Sequence, residues 1–301
     1  MKYFHPKRWS RFLKTKTENL INYYLLPDEV YLKKKYKQVF NKKLNLKNPQ
    51  TFNEKIQWLK LYDRNPAYHK MIDKYEAKEF VANIIGNEFI VETYGVWSRF
   101  DDINFDTLPN QFVLKCTHDA ASTIICNDKK SFDFESAKEK LTKALKINYY
   151  RYENKQWAYK NITPRIIAEK LIKNNSDAKP IEDYKFMVFN QRVKCTFVCS
   201  GRKSKEGLKV TFFDNDWVKL PFERYYKSKD GIPKPKYFEK MKLLAEKISK
   251  EVGNQFIRVD FYEIDDKIYF GEITFYPGGG IEDFTPEKWD YELGSWIDLK
   301  K

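Results

Sequence analysis

Two acidic residues near the C-terminus, Asp260 and Glu272, sit on segments whose residue alternation would set them face to face. In IRVDFYEIDDKIYFGEITF, Ile257, Val259 and Phe261 alternate with Arg258, Asp260 and Tyr262, while Ile273 and Phe275 alternate with Glu272 and Thr274. Successive side chains of a strand point to opposite faces. A hairpin with an odd-length loop, such as Asp265-Asp266-Lys267, therefore pairs 260 with 272 and 258 with 274. One face is then apolar, and the other carries Arg258, Asp260, Glu272 and Thr274. A slip of one residue would spoil both faces, so the register is well determined. Carboxylates opposed across a ladder repel each other, and a divalent cation removes the conflict. A few oxygen ligands suit Mg2+, which keeps waters and binds substrate phosphates. Arg258 beside them supplies positive charge for a phosphoryl group in transfer. The plain alternative is an exposed sheet face that tolerates an acid pair. Pro277-Gly278-Gly279-Gly280 then forms a loop whose backbone can approach a substrate closely.

Three lysines join this set. FVLKCTHDAAST puts Lys115 at the end of an apolar strand, ahead of a loop containing Thr117, His118, Ser122 and Thr123. Backbone N–H groups of such a loop can meet phosphate oxygens while the lysine neutralises charge. The loop has no glycine and so is not of the Walker type. Asp183-Tyr184-Lys185 opens a second apolar strand, YKFMVF, with a cation on it. Lys74, in IDKYEAKEF, reads by itself as a solvated helix lysine.

The elements that must position these groups follow from periodicity and punctuation. Residues 1–48 read as mostly helical, with a break at Pro27. Thr51 and Glu54 have capping-box spacing, and Ile56, Trp58, Leu59 and Tyr62 make one apolar face of the next helix. A further helix is expected through KMIDKYEAKEFVANII to a C-cap at Gly86. Strands are expected in FIVETYGVW, FVLK and TIIC, and on both sides of Asn190-Gln191; TFFDNDWVKL reads as a hairpin. ESAKEKLTKALK is an amphipathic helix, and another is expected over 236–252. The mixture is α+β.

Composition limits the function classes. Hydrophobic and aromatic fractions of 42% and 17% exclude a disordered chain. No apolar run reaches membrane-spanning length, and the N-terminus lacks the apolar stretch of a secretory signal, so a cytoplasmic location is expected. Cys116, Cys126, Cys195 and Cys199 form no CxxC pair and read as reduced, buried residues. His5, His69 and His118 are too scattered for a zinc site. The formal charge of +14 is concentrated in residues 1–50, with 13 Lys or Arg against 3 Asp or Glu. That distribution is a basic arm on an ordinary domain and argues against a nucleic-acid-coating protein. Trp9, Phe12, Leu13 and Tyr23 interleave with its cations. Peripheral contact with an anionic membrane or polymer and packing of a helix on the domain are both open.

The order of PQTFNEKIQWLKLYDRNP, DKYEAKEFV, LPNQFVLKCTHDAAST, PRIIAEKLI, DYKFMVFN, RVDFY and YFGEITFYPGGG resembles the ATP-grasp superfamily. It is most similar to the TupA-like ATP-grasp family, named for teichuronopeptide synthesis, over about residues 28–298. The resemblance implies an ATP-grasp fold, two α+β subdomains gripping ATP behind a basic helical N-terminal region. The implied parts are the basic region 1–62, a pre-grasp subdomain 63–110, a lid subdomain 111–175 and a C-terminal subdomain 176–301 with the Mg2+ site. Lys74 and Lys115 resemble the nucleotide-binding lysines, with Thr117, His118, Ser122 and Thr123 in the flexible phosphate loop. Glu169, Lys170, Leu171 and Ile172 look like the hinge that holds adenine. Lys185, with Asp183 beside it, resembles the basic residue at the polyphosphate. Asp260 and Glu272 match magnesium ligands, with Thr274 as the third position, and Arg258 matches the arginine that stabilises an acyl phosphate. Gly278, Gly279 and Gly280 are implied to face the substrate. The chain departs from the family at HDAAST, where glycines are common, and at Thr274, where many members have a metal-binding Asn.

The implied activity is an ADP-forming, ATP- and Mg2+-dependent ligase that joins a carboxylate to an amine, such as a uronic acid and an amino acid, in bacterial surface polysaccharide synthesis. A glycosyltransferase and a non-catalytic binder of anionic polymer or membrane are the alternatives.

Overall fold

The computed structural model describes residues 26–174, 181–201 and 207–299. The arm expected to be basic and helical lies, over residues 1–25, outside the described residues. Helix α1 (Asp28–Phe40) buries Tyr31, Leu32 and Tyr36 and ends at Asn41 in the left-handed conformation, φ 56°. Helix α2 (Phe52–Tyr62) opens with the expected capping box, in which Glu54 N donates to Thr51 Oγ1 (3.1 Å) and Thr51 N to Glu54 Oε2 (3.3 Å). Its burial departs from the expected stripe. Ile56 and Leu59 are buried, but Tyr62 is exposed, and Asn53, Gln57 and Lys60 are enclosed instead. The reason is that α2 packs on two sides, against helix α8 (Lys288–Ser295) and against the glycine turn Pro277–Gly280. Gly294 of α8 lies so close that a Cβ there would be 2.2 Å from the Gln50 carbonyl oxygen.

The helix expected to run unbroken to Gly86 is two helices, α3 (Tyr68–Ile72) and α4 (Glu76–Ile85). Asp73 divides them, because its carboxylate accepts the N–H groups of Tyr75 (2.9 Å) and Glu76 (3.0 Å) and so starts a new helix. The break leaves Lys74 in a turn, with its N–H donating to Thr117 O at 3.0 Å.

Strands β1 (Thr93–Trp97), β2 (Phe112–Cys116), β3 (Ile124–Cys126) and β4 (Ile166–Lys170) form an antiparallel sheet of order β1-β4-β2-β3. Helix α5 (Phe134–Leu145) covers it, burying Ala137, Leu141 and Ala144 with Phe112, Leu114 and Cys116. A single turn, α6 (Tyr149–Tyr152), leads back towards β4.

The larger sheet is antiparallel, of order β10-β9-β5-β6-β7. It contains β5 (Asp183–Phe189), β6 (Arg192–Ser200), β7 (Lys209–Phe213), β9 (Phe256–Ile264) and β10 (Lys267–Thr274). Between β7 and β9 come the short strand β8 (Glu223–Arg224), which pairs with β11 (Phe284–Thr285), and helix α7 (Phe238–Val252). Met241, Ala245 and Ile248 of α7 share one buried core with Phe186, Ile257, Val259 and Phe261. The opposite face of this sheet is the polar one.

The β5–β6 connection is the expected two-residue turn, with Asn190 and Gln191 both at positive φ (44° and 67°). The β9–β10 loop is shorter than expected. It is the two-residue turn Asp265-Asp266, φ 48° and 60°, and Lys267 already pairs with Ile264. An even loop alone would put Glu272 in the core. A bulge at Gly271, between the Phe270–Phe261 and Glu272–Asp260 pairs, shifts the register by one and restores the expected pairing of 260 with 272 and 258 with 274. All four cysteines are buried, and none forms a disulfide. Among the described residues no helix is long and apolar enough to cross a membrane.

Candidate nucleotide and metal site

Cross-strand pairing builds the site on the polar face of the larger sheet. Glu272, Asp260, Lys185, Phe197 and Phe212 form one row across β10, β9, β5, β6 and β7. Directly paired residues share a face, so the row runs from two carboxylates through an ammonium group to two phenyl rings. Arg258, two residues from Asp260 on the same face, grips Asp260 with Nε (2.6 Å) and Nη2 (2.7 Å) and reaches Glu272 Oε1 at 2.6 Å. Lys185 contacts Asp260 and lies 2.7 Å from Asp183. Thr274 Oγ1 donates to Glu272 Oε1 at 3.2 Å.

Asp260, Lys185 and Arg258 are largely withdrawn from water, while Glu272 is partly open, and both facts bear on their titration. Burial pulls the Asp260 carboxyl upward against the charges of Arg258 and Lys185. Burial also pulls on Glu272, but Arg258, Lys185 and Lys74 outweigh it and bring that carboxyl down to about 2. Glu272 therefore stays ionised with 42% of its side chain open. Lys185, buried yet held by Asp260, titrates above its ordinary value.

Magnesium fits this donor set in a restricted way. Asp260 and Glu272 are adjacent, and Glu272 Oε2 has no hydrogen-bond partner among the described residues. No group of three or more His, Cys, Asp or Glu able to hold a metal occurs among the described residues. Two carboxylates completed by water and phosphate oxygens are the usual environment of Mg2+.

The smaller sheet presents cations to the same space. Glu169 on β4 contacts Lys115 of β2 and lies 2.6 Å from Lys78 of α4. Lys78 also donates to Val91 O (2.7 Å) and Thr93 Oγ1 (2.8 Å). Burial draws the Glu169 carboxyl upward, but the two lysines hold it below its ordinary value. Lys74 Nζ donates to Asp119 O in the loop after β2, and burial lowers its pKa. That loop is closed by side chains in place of glycines, with Ser122 Oγ donating to Asp119 Oδ1 (2.6 Å) and accepting from Cys116 N (2.7 Å).

A cavity of about 290 Å³ separates the two sheets. It brings together Lys74, Lys115, Thr123, Glu169, Lys170, Leu171 and Ile172 of the expected nucleotide set. Thr117, His118 and Ser122 are buried inside the loop and do not line it. Asp183, Lys185, Asp260, Glu272, Thr274 and Arg258 lie together on the sheet face beside it. Val113 and Ile125 from one sheet, and Tyr262, Phe270 and Gly271 from the other, supply apolar walls that the sequence reading did not single out. Lys78 was missed as well. Its signal in the sequence is its spacing, four residues beyond Lys74.

The glycine turn sits at the end of β10. Gly278, Gly279 and Gly280 all adopt left-handed φ values of 56°, 67° and 62°. A Cβ on them would meet Glu282 at 2.2 Å, Asn154 at 3.0 Å and Gln57 at 2.6 Å respectively, so close packing within the protein demands glycine at this turn. Lys60 and Gln57 of α2 donate to its carbonyls, each reaching one at 2.5 Å.

Two antiparallel sheets thus enclose a lysine-lined cavity, and the larger one carries paired carboxylates beside it. The family model described as TupA-like ATPgrasp matches residues 54–298, and the chain belongs to that family. Similar solved structures include D-alanine–D-alanine ligase from Bacillus anthracis complexed with ATP, at 15% identity and TM-score 0.41 over 69% of this chain and 56% of that one. The ATP-grasp ligase PsnB complexed with minimal precursor is similar at 11% identity and TM-score 0.43, over 73% of this chain and 60% of that one. The D-alanine–D-alanine ligase from Helicobacter pylori is similar at 14% identity and TM-score 0.40, over 83% and 70%. The chain thus spans little more than half the length of the Bacillus anthracis ligase. A comparison with curated proteins found no match.

Proposed function

We propose that this protein is an ATP-dependent carboxylate–amine ligase that works through an acyl phosphate. The observation that carries the reading is the cluster of Asp260, Glu272, Arg258 and Lys185 on one sheet face, beside a cavity lined by Lys74, Lys115 and Glu169. Family membership supports it.

In this reading a substrate carboxylate oxygen attacks the γ-phosphorus of ATP and ADP leaves. The amine then attacks the activated carbonyl carbon, phosphate departs, and the amide forms with loss of a proton. Asp260 and Glu272 would hold Mg2+, with Thr274 beside Glu272, and Mg2+ when bound would neutralise charge developing on the phosphates. Lys115 and Lys74 serve the phosphates, Lys185 the transferring group, and Arg258 the acyl phosphate oxygens. Glu169 to Ile172 would hold the adenine. Lys115 pairs with Glu169 here, so the phosphates would take over that cation. Gly278, the exposed glycine of the turn, would offer its backbone to the substrate, whereas Gly279 and Gly280 are buried with their carbonyls held by Lys60 and Gln57. A uronic acid and an amino acid of bacterial surface polysaccharide synthesis are the proposed pair, with the chemistry on the cytoplasmic side.

The test is ADP release and Mg2+-ATP binding by the full chain, measured by coupled assay and thermal shift. Asp260→Asn and Glu272→Gln are each expected to lower ADP release at least 100-fold and to remove most of the Mg2+-dependent thermal shift. Wild-type protein that binds no Mg2+-ATP sinks the reading.

A further inference from the structure

The phenyl end of the cross-strand row is where the proposed ligase chemistry leaves something unassigned. Phe197 is completely buried, and guanidinium groups are among what covers it. Arg258 Cζ lies 5.8 Å from its ring centre and Arg224 Cζ, from β8, lies 4.6 Å away. The two guanidinium carbons are therefore no farther apart than those distances laid end to end. Arg224 also lies 5.8 Å from the ring of Phe212, so it rests on the phenyl pair as Arg258 rests on the carboxylate pair.

Arg224 uses little of its hydrogen-bonding capacity. Nη1 donates to Glu282 Oε2 at 2.6 Å, with side chains only 11% and 8% exposed. Its Nε and Nη2 have no acceptor among the described residues, yet neither is sealed from solvent. Arg258 resembles it in one respect. Nε and Nη2 are engaged, while Nη1 has no acceptor among the described residues and is likewise open. A guanidinium fork is shaped for bidentate binding of a carboxylate, and a buried one with spare, open donors is incomplete as a structural ion pair.

Glu282 is also held firmly in place. Its N–H donates to Asn53 Oδ1 and its carbonyl accepts from Asn53 Nδ2, both at 2.8 Å. Gly278 abuts the Glu282 side chain, so Arg224 borders the glycine turn on one side and Arg258 on the other.

We propose that Arg224 and Arg258 form a two-point anion clamp over Phe197, in which Arg224 binds a second, unreactive carboxylate of the substrate while Arg258 serves the reacting one. The carboxylate substrate then bears two carboxylates, as a uronic acid does once it is linked to a second uronic acid unit. This rests on the ligase reading, and the experiment separates the two.

The experiment is titration calorimetry of the full chain loaded with Mg2+ and the non-hydrolysable nucleotide AMP-PNP, with glutarate and butyrate as probes. Wild type should bind glutarate at least tenfold more tightly than butyrate. Arg224→Gln should erase that preference while AMP-PNP affinity stays within twofold, and Arg224→Lys, with the charge but without the fork, should fall between. Glu282→Gln removes the competing carboxylate and should tighten glutarate binding severalfold. A wild type without the preference, or an Arg224→Gln variant that keeps it, overturns the clamp. Should Arg224→Gln fold badly, unchanged glutarate affinity in Glu282→Gln overturns it equally. Failure of wild type to bind AMP-PNP instead overturns the ligase reading.

Discussion

At the scale of single residues, the buried amine of Lys60 is the least expected feature. It is fully enclosed, and its Nζ donates to Gln57 Oε1 (3.0 Å), Asn154 O (3.2 Å) and Gly279 O (2.5 Å). Desolvation lowers its pKa from 10.5 to about 7. Between those values the unfolded chain carries a proton that the folded chain lacks, so this residue makes stability rise with pH, by up to about 1.4 kcal/mol per unit. Urea denaturation of wild type and Lys60→Met from pH 7 to pH 10 checks this. The stability difference should move in favour of wild type as pH rises, and a constant difference would show that the carbonyl dipoles keep Lys60 charged. Nothing in the sequence marked this lysine. Its spacing on α2 reads as a solvated face, and only the packing of α8 and the glycine turn on both sides of the helix encloses it.

At the scale of elements, the β9–β10 hairpin shows how a correct pairing can follow from an incorrect loop. Period-two alternation over Arg258–Tyr262 and Glu272–Phe275 carries the face assignment regardless of what happens at the tip. The two-residue turn and the bulge then cancel, and neither changes the alternation near the acids, so neither was legible. Gly271 makes the bulge possible. A Cβ there would come within 3.1 Å of Asp260 O and of the Tyr262 ring. Gly271→Val is therefore expected to displace Asp260 from Glu272 and to weaken Mg2+-ATP binding about tenfold, or about 1.4 kcal/mol. Its urea midpoint should fall less than that of the core truncation Phe261→Ala. A valine variant with full nucleotide affinity would mean that the bulge does not set the acid pair. Other elements were illegible for similar local reasons. Asp73 breaks a helical run by capping the next helix, and β8, which carries Arg224, is two residues long and too short to show alternation. The capping box, the α5 and α7 helices and the Asn190-Gln191 turn were legible because each has a short-range signature of its own.

At the scale of the whole molecule, the site between the sheets is close to electrically balanced. Five cations, Lys74, Lys78, Lys115, Lys185 and Arg258, face four carboxylates, Glu169, Asp183, Asp260 and Glu272. Much of this charge is withdrawn from water, where an uncompensated charge is costly. Such a site favours a cargo of little net charge. ATP alone, with roughly four negative charges, would confront the carboxylates, and Mg2+ alone would confront the cations; together they carry only about two negative charges, closer to the site's surplus of one cation. The two should therefore bind cooperatively, each lowering the cost of the other. At about 100 times the dissociation constant, a ligand specific for the folded state adds about 2.7 kcal/mol of stability. Thermal shift with ATP plus Mg2+ should reach that scale. ATP with EDTA, and Mg2+ without nucleotide, should together give less than half of it. A shift with ATP and EDTA as large as with Mg2+ would mean that the lysines alone hold the nucleotide. Asp260 and Glu272 would then serve the sheet and not the cation.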